Sequence, residues 1–170
     1  DEIIRYFKSG FKEIKDFRIG IEHEKFLFDN KSNKRIDYLK IKEMFSALIE
    51  FGWNPIIEEN NIIGLNKGGK NITLEPGNQI ELSGDKLSNI HEGCAESQDY
   101  LFELRQVTKK LGLNIVSAGF DPISKLNEIP NNPKQRYKLM TKDMPLGGNL
   151  SLDMMYRTCG TQINLDYSSE

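Results

Sequence analysis

Apolar positions recur along the chain with two different periods, and the changes of period predict its elements. Ile3, Ile4, Phe7, Phe11 and Ile14 fall at helical spacing and predict a short first helix, weakened by Gly10. Arg18 to Phe28 alternates as a strand, and Asp29 to Asn33 reads as a turn. Leu39, Ile41, Met44, Phe45, Leu48 and Ile49 then mark a second helix stopped by Gly52. Short strand runs follow at Trp53 to Glu58, Ile62 to Leu65, Asn71 to Glu75 and Gln79 to Ser83. They are separated by Asn60-Asn61, Gly68-Gly69 and Pro76-Gly77, the punctuation of an antiparallel meander. Asn89 to Leu111 predicts a long amphipathic helix with Ile90, Cys94, Leu101, Leu104, Thr108 and Leu111 on its apolar stripe, so Cys94 is expected in the core. Beyond Gly112 the pattern predicts a strand from Asn114 to Phe120, a loop from Asp121 to Pro133 and a short helix from Lys134 to Thr141. A long final strand is expected from Met154 to Tyr167. Strands in runs with interspersed helices predict an α+β fold, an antiparallel sheet with helices on one face.

The strands differ sharply between their two faces. Ile19, Ile21 and Leu27 share one parity, and Glu22 and Glu24 the other. The same alternation sets Ile72 and Leu74 against Thr73 and Glu75, Ile80 and Leu82 against Gln79 and Glu81, and Ile163 and Leu165 against Gln162, Asn164 and Asp166. One face is apolar and suits helices; the other is rich in carboxylates and amides. Antiparallel sheets ordinarily turn polar residues to water. Solvated strand faces, however, usually mix their charges, and like charges fixed on a rigid sheet repel unless something positive lies among them. A hard divalent cation is a natural neutraliser, since Mg²⁺ takes oxygen ligands and commonly bridges carboxylates to nucleotide phosphates.

Composition narrows the choice of function. The 170 residues carry 23 basic and 25 acidic side chains, a balance that argues against nucleic acid or an anionic membrane surface as partner. No apolar run approaches the span of a bilayer. Two cysteines, Cys94 and Cys159, are too few for a disulfide framework, and a reducing compartment is expected. Neither a G-x-x-x-x-G-K-[ST] loop nor a G-x-G-x-x-G turn occurs, and Gly68-Gly69-Lys70 reads as a hairpin tip. Asp1 in first place, and Ser168-Ser169-Glu170 reading as a helix start in last, lead us to expect a piece of a longer polypeptide.

Several ordered segments carry a resemblance. Arg18-Ile19-Gly20-Ile21-Glu22-His23-Glu24-Lys25-Phe26, the run Ile72 to Gly84, His91, Cys94-Ala95-Glu96, Pro133-x-x-Arg136-Tyr137, and Leu152 to Cys159 continuing through Asn164 to Glu170 together resemble the plant-type glutamate–cysteine ligase family, which also occurs in bacteria. Ile21 stands where threonine is common, Asn78 where glycine is usual, and Gly160 where β-branched residues are common; none of these departures removes a carboxylate. The resemblance implies a glutamine-synthetase-like catalytic sheet, with residues 1–170 the N-terminal part of a single catalytic domain, incomplete here and inactive alone. It also implies the ATP- and Mg²⁺-dependent activation of the L-glutamate γ-carboxylate as γ-glutamyl phosphate and its capture by the amine of L-cysteine. That reaction is the first step of glutathione biosynthesis. The implied compartment is the bacterial cytoplasm, or the plastid in a plant.

Residue by residue, the resemblance and the strand faces together nominate Glu22, Glu24, Glu75 and Glu81 as metal ligands. Arg157, Arg136, Tyr137, Met155, Thr158, Gln162 and Asn164 are the substrate-binding candidates. A guanidinium fork suits a substrate carboxylate, although Arg157 needs a bulge near Gly160 to share a face with Gln162 and Asn164. Met154 and Met155 read from pattern alone as core. His23 sits on the helix-packed parity and is expected to be a buried structural histidine, as is His91 near a helix start. Another carboxylate–amine or carboxylate–ammonia ligase of the same fold, or a non-catalytic sheet with solvated acids, remains open, as does the oligomeric state.

Overall fold

The computed structural model describes residues 1–169. The chain runs α1 (Glu2–Lys8), β1 (Ile19–Asp29), α2 (Tyr38–Leu48), β2 (Asn54–Glu58), β3 (Asn61–Lys67), β4 (Lys70–Glu75), β5 (Gln79–Ser83), α3 (Ile90–Leu111), β6 (Leu113–Val116), α4 (Gln135–Asp143), α5 (Ser151–Arg157) and β7 (Thr161–Leu165), with short 3-10 turns between. All strand pairings are antiparallel, in the order β2-β3-β4-β5-β1-β6, with β7 beside β1. The eleven-residue β1 organises this arrangement. It pairs with β5 along Glu22 to Lys25 and divides its other edge between β7 at Ile19 to His23 and β6 at Phe26 to Asp29.

The helices form where caps and apolar stripes coincide. The Asp37 carboxylate accepts from the Lys40 amide at the start of α2, and Gly52, in the left-handed region at φ 87°, ends the 3-10 turn that follows. The Asn89 side chain accepts from the amides of His91 and Glu92 at the start of α3, and Gly112 at φ 66° closes its end. Both helices lie on the apolar face, where Ile41, Phe45, Leu48, Leu74, Leu82 and Leu104 are fully buried in one core. Each such side chain stabilises the fold by ~1.5–3 kcal/mol. The expected stripe of α3 is rotated from its observed one: Gly93, Glu96, Tyr100, Leu104, Val107 and Thr108 face inward, and Cys94 is exposed rather than in the core. Glu96 compensates for its burial by accepting from the Asp85 amide at 2.9 Å.

The expected final strand is overturned in its first half. Ser151 to Arg157 is helix α5, and only Thr161–Leu165 is strand. Leu152, Met155 and Tyr156 recur at i, i+3 and i+4 and bury against Ile129 and Tyr137, a second, smaller core, and Asp153 pairs with Arg157 one turn on at 2.9 Å. The expected strand Asn114 to Phe120 likewise shortens to β6, which ends where β1 passes from β6 to β7. In β7, Ile163 and Leu165 do pair with Ile21 and Ile19 on the expected parity, yet they are 62% and 71% exposed, so no helix among the described residues covers that part of the apolar face. The helix start proposed at Ser168-Ser169-Glu170 includes Glu170, which lies outside the described residues.

The smaller core is joined to the sheet by a buried ion pair. Arg35 and Asp121 meet at 3.0 Å with both side chains fully buried, and the guanidinium also donates to the Gly77 and Tyr156 carbonyls and lies 4.7 Å from the Phe26 ring centroid. Gly77 has φ 64°, and a Cβ there would come within 2.7 Å of Ile129 and 3.2 Å of Tyr156. Gly77→Ala is therefore expected to lower the unfolding free energy by about 1 kcal/mol or more, read by denaturant titration. Asn78, at φ 59°, is one of the few residue types besides glycine that tolerate this backbone region, and its side-chain amide donates to the Ile36 carbonyl at 2.9 Å.

Candidate functional site

Strand register assembles the acids. Glu24 of β1 lies directly across from Glu81 of β5, and Glu81 lies across from Thr73 of β4. One step along the same face, Glu22 lies between Ser83 and Gln162; one step the other way, Glu75 pairs with Gln79. Burial raises the carboxyls of both Glu24 and Glu81 above their ordinary value, and repulsion from Glu75 and Glu22 adds to it. Hydrogen bonds oppose the rise: the Gly160 amide donates to Glu24, and the Ser83 hydroxyl to Glu81 at 2.9 Å. Glu22 accepts from the Asn164 amide at 2.9 Å, and Asn164 in turn accepts from Gln162 at 2.9 Å. Glu75 is held differently. The Tyr137 hydroxyl donates to its Oε2, and Lys134 Nζ stands 3.7 Å from its Oε1.

Beside Glu24, a cleft of ≈ 330 Å³ opens at the gap between β6 and β7, lined by Lys25, Ser117, Gly119, Cys159 and Gly160 among others. Burial, reinforced by the nearby Glu24, pushes the Cys159 thiol up to about 12, which favours the protonated form over the nucleophilic thiolate, and its Sγ donates to Gln79 Oε1 at 2.8 Å. The Gln79 amide donates to the carbonyls of Pro76 and Tyr156, at 2.8 and 3.3 Å, so Gln79 ties the turn after β4 to the end of α5.

The nominated substrate residues occupy separate places. Gln162 and Asn164 stand beside Glu22 on the acid face. Arg157 ends α5 instead of lying in a strand, so no bulge is needed to explain its direction. Its guanidinium is engaged by Asp153 and the Asp121 carbonyl and lies 4.4 Å from the Phe120 ring centroid. Thr158 donates to the Met154 carbonyl, Met155 is buried in the smaller core, and Arg136 is exposed next to Tyr137. His23 is half-buried, not fully buried, and its Nε2 is 3.2 Å from the Ser97 hydroxyl; burial lowers its pKa. His91 is exposed in the first turn of α3. Sequence pattern gave no role to Lys134 beyond a helix start, to Lys25, or to the linking part played by Gln79. Lysine after proline at a helix start is too common to signal a site, and Lys25 has helix-facing parity on a strand whose neighbour changes at that point.

The donor set suits a hard cation in a particular way. Among the described residues no group of three or more His, Cys, Asp and Glu side chains is close enough to form a ready metal cage. Thr73 Oγ1, across from Glu81, is buried without a hydrogen-bond partner. Glu22, Glu24 and Glu81 each accept from a neutral donor on one oxygen and leave the other without a protein partner among the described residues. Such an open, all-oxygen arrangement fits Mg²⁺, which keeps several waters and binds through one or two carboxylates plus substrate phosphates, and does not fit a closed metal site.

An antiparallel α+β sheet with helices over its apolar face and clustered carboxylates on the other is the class that the geometry defines. Within it, the chain belongs to the Glutamate-cysteine ligase family 2 (GCS2), whose model matches residues 18–170. It is 44% identical over 171 residues to glutamate–cysteine ligase A, chloroplastic, of Oryza sativa subsp. japonica, covering 100% of this chain and 35% of that protein. It is 44% identical over 170 residues to the chloroplastic glutamate–cysteine ligase of Medicago truncatula, covering 99% of this chain and 34% of that one. The Arabidopsis thaliana chloroplastic enzyme is 42% identical over 171 residues, covering 100% of this chain and 33% of the relative. The chain thus spans about one third of the length of these relatives.

Proposed function

We propose that residues 1–170 are the N-terminal part of a catalytic domain that, in the full-length protein, joins L-glutamate to L-cysteine at the expense of ATP. The observation that carries this reading is family membership over residues 18–170 together with an acid face built from four strands of one sheet. ATP would transfer its terminal phosphoryl group to a γ-carboxylate oxygen of glutamate, giving ADP and an acyl phosphate. The cysteine amine would then attack the carbonyl carbon, forming the amide as phosphate leaves and the ammonium proton passes to solvent. Mg²⁺, when bound, supplies neutralisation of the charge that gathers on the transferring phosphoryl oxygens.

The chain's own residues supply placement. Glu22, Glu24 and Glu81 offer oxygens fixed by strand register, with Glu75 at the end of the same face. The Gly160 amide orients Glu24, and Asn164 orients Glu22, so neither carboxylate must reorganise as charge develops. Gln162 and Asn164 offer amides to a polar substrate group beside those acids. Arg136, exposed next to Tyr137, is free to meet a substrate carboxylate. Arg157, Met155 and Thr158 act through the shape of α5 and of the segment leading into β7. The chloroplastic relatives support the plastid over the bacterial cytoplasm as compartment.

Incubating the full-length protein with Mg²⁺, ATP and glutamate is expected to release ADP in step with added cysteine. Equal release with ammonia replacing cysteine would reassign it as another carboxylate–amine ligase, and no nucleotide binding by calorimetry would reduce the sheet to a non-catalytic one.

A further inference from the structure

Lys25 is a buried cation without a counter-ion. It is 8% exposed, and among the described residues no carboxylate forms an ion pair with it. Its place follows from a break in the sheet ladder. The Glu24 amide donates to the Gly160 carbonyl at 3.1 Å, and a regular antiparallel pair would return a bond from the Gly160 amide to the Glu24 carbonyl. That amide donates to the Glu24 side chain instead, and Lys25 Nζ meets the Glu24 carbonyl at 3.0 Å. The ammonium is thereby held at the gap between β6 and β7, on the cleft of ≈ 330 Å³ that opens there. One neutral acceptor engages one of its three N–H groups and leaves its charge unbalanced. A buried ammonium in that condition is costly, and a neutral donor would satisfy the carbonyl as well. Its charge is therefore the part of Lys25 that the fold does not explain.

We propose that the cleft is a carboxylate subsite, in which Lys25 binds a carboxylate of one of the two amino-acid substrates, L-glutamate or L-cysteine. The inference rests on the ligase reading given above. A carboxylate brings the single negative charge that Lys25 lacks and accepts its remaining N–H groups, and such a charge-assisted bond is strong where water is largely excluded. Ser117 and Thr161, also on the lining, add hydroxyls. A phosphate fits less well, since it carries about two charges at neutral pH and Glu24 on the same lining repels it. The volume falls at the small end of the range for ligand sites. Because Glu24 belongs to both the cleft and the acid face, an amino acid anchored on Lys25 lies directly beside that face.

The test is steady-state kinetics of the full-length protein, wild type against Lys25→Met and Lys25→Gln, with glutamate, cysteine and ATP varied in turn and melting temperatures taken in parallel. Both variants are expected to raise KM for one amino acid about tenfold or more, because each loses a charge-assisted hydrogen bond. KM for the other amino acid and for ATP should stay within about twofold, and the amino acid affected names the carboxylate. Calorimetric titration of that amino acid, with Mg²⁺ and a non-hydrolysable ATP analogue present, should show the same loss without turnover. Neither variant is expected to lower the melting temperature, since each removes an unbalanced buried charge. A lysine that merely caps the Glu24 carbonyl gives a different result: Lys25→Gln, which keeps a donor, would match wild type, and Lys25→Met would lose melting temperature with every KM unchanged. That result overturns the proposal. So does a rise in KM confined to ATP, which would give the cleft to a phosphate, or an equal rise for all three substrates. Absence of cysteine-dependent ADP release from the wild type is a separate failure, that of the ligase reading. The calorimetry then decides Lys25 by itself, and glutamate and cysteine that bind variants and wild type equally, or bind none of them, overturn its role.

Discussion

Glu24→Gln in the full-length protein is expected to lower cysteine-dependent ADP release by about two orders of magnitude or more, equivalent to ~2.7 kcal/mol of transition-state stabilisation, with its melting temperature little changed. Glu22→Gln is expected to follow it. Both carboxylates lie on a strand whose backbone is paired on two sides, so an amide of nearly the same shape leaves the sheet intact. For Glu24 the substitution even relieves a cost, because its carboxyl is raised by burial and by its acidic neighbours. A group that is destabilising as an anion in the resting fold and is nonetheless placed there answers to function rather than to stability. Rates measured beside melting curves decide the point. Near-normal turnover in both variants would make the acids solvated strand residues, and parallel losses of rate and melting temperature would make them structural.

The alternation that led to these residues was legible because a strand with one face against helices cannot slip by a single residue without turning its apolar side chains to water. Glu22, Glu24, Thr73, Glu75 and Glu81 follow from parity alone, and register then places Glu24 opposite Glu81. The extents of α2 and α3 were equally legible because capping and breaking residues bound them at Asp37, Gly52, Asn89 and Gly112. Long-range arrangement was not. Leu152 to Tyr156 offers two apolar patterns, and the helical one wins only because Ile129 and Tyr137, remote in sequence, supply a surface to bury against. The position of Cys94 was misjudged for a related reason: α3 turns a glycine and a glutamate inward, Gly93 toward Ile21 and Glu96 toward the Asp85 amide, so its buried side is not its most apolar one. Lys134 was invisible because its meaning lies in Leu74 and Glu75, some sixty positions away.

Asp121→Asn is expected to cost about 3–5 kcal/mol of unfolding free energy, because it leaves the Arg35 guanidinium buried and charged with its counter-ion gone. The Tyr156 and Gly77 carbonyls that Arg35 also meets are dipoles and cannot replace a full negative charge. Burial by itself would raise the Asp121 carboxyl, but the amides of Ser124 and Ile123 and the Arg35 guanidinium outweigh it and hold the group below its ordinary value of about 3.8. Its contribution is therefore fully present above that ordinary value and is lost as the pH falls through the depressed one. Denaturant titrations from neutral to acid pH should show wild-type stability declining toward that of Asp121→Asn, with the variant lacking this part of the acid dependence. The pair joins β1's hairpin to the loop ahead of the smaller core, so the variant should also loosen α5 and with it the Gly160 amide that orients Glu24. Arg35→Met with Asp121→Leu, which removes both charges and keeps the volume, is expected to recover most of the loss. A double variant as unstable as Asp121→Asn would mean that the neutral hydrogen bonds, those of Arg35 to the Gly77 and Tyr156 carbonyls and of the Ile123 and Ser124 amides to Asp121, and not the ion pair, hold the smaller core to the sheet.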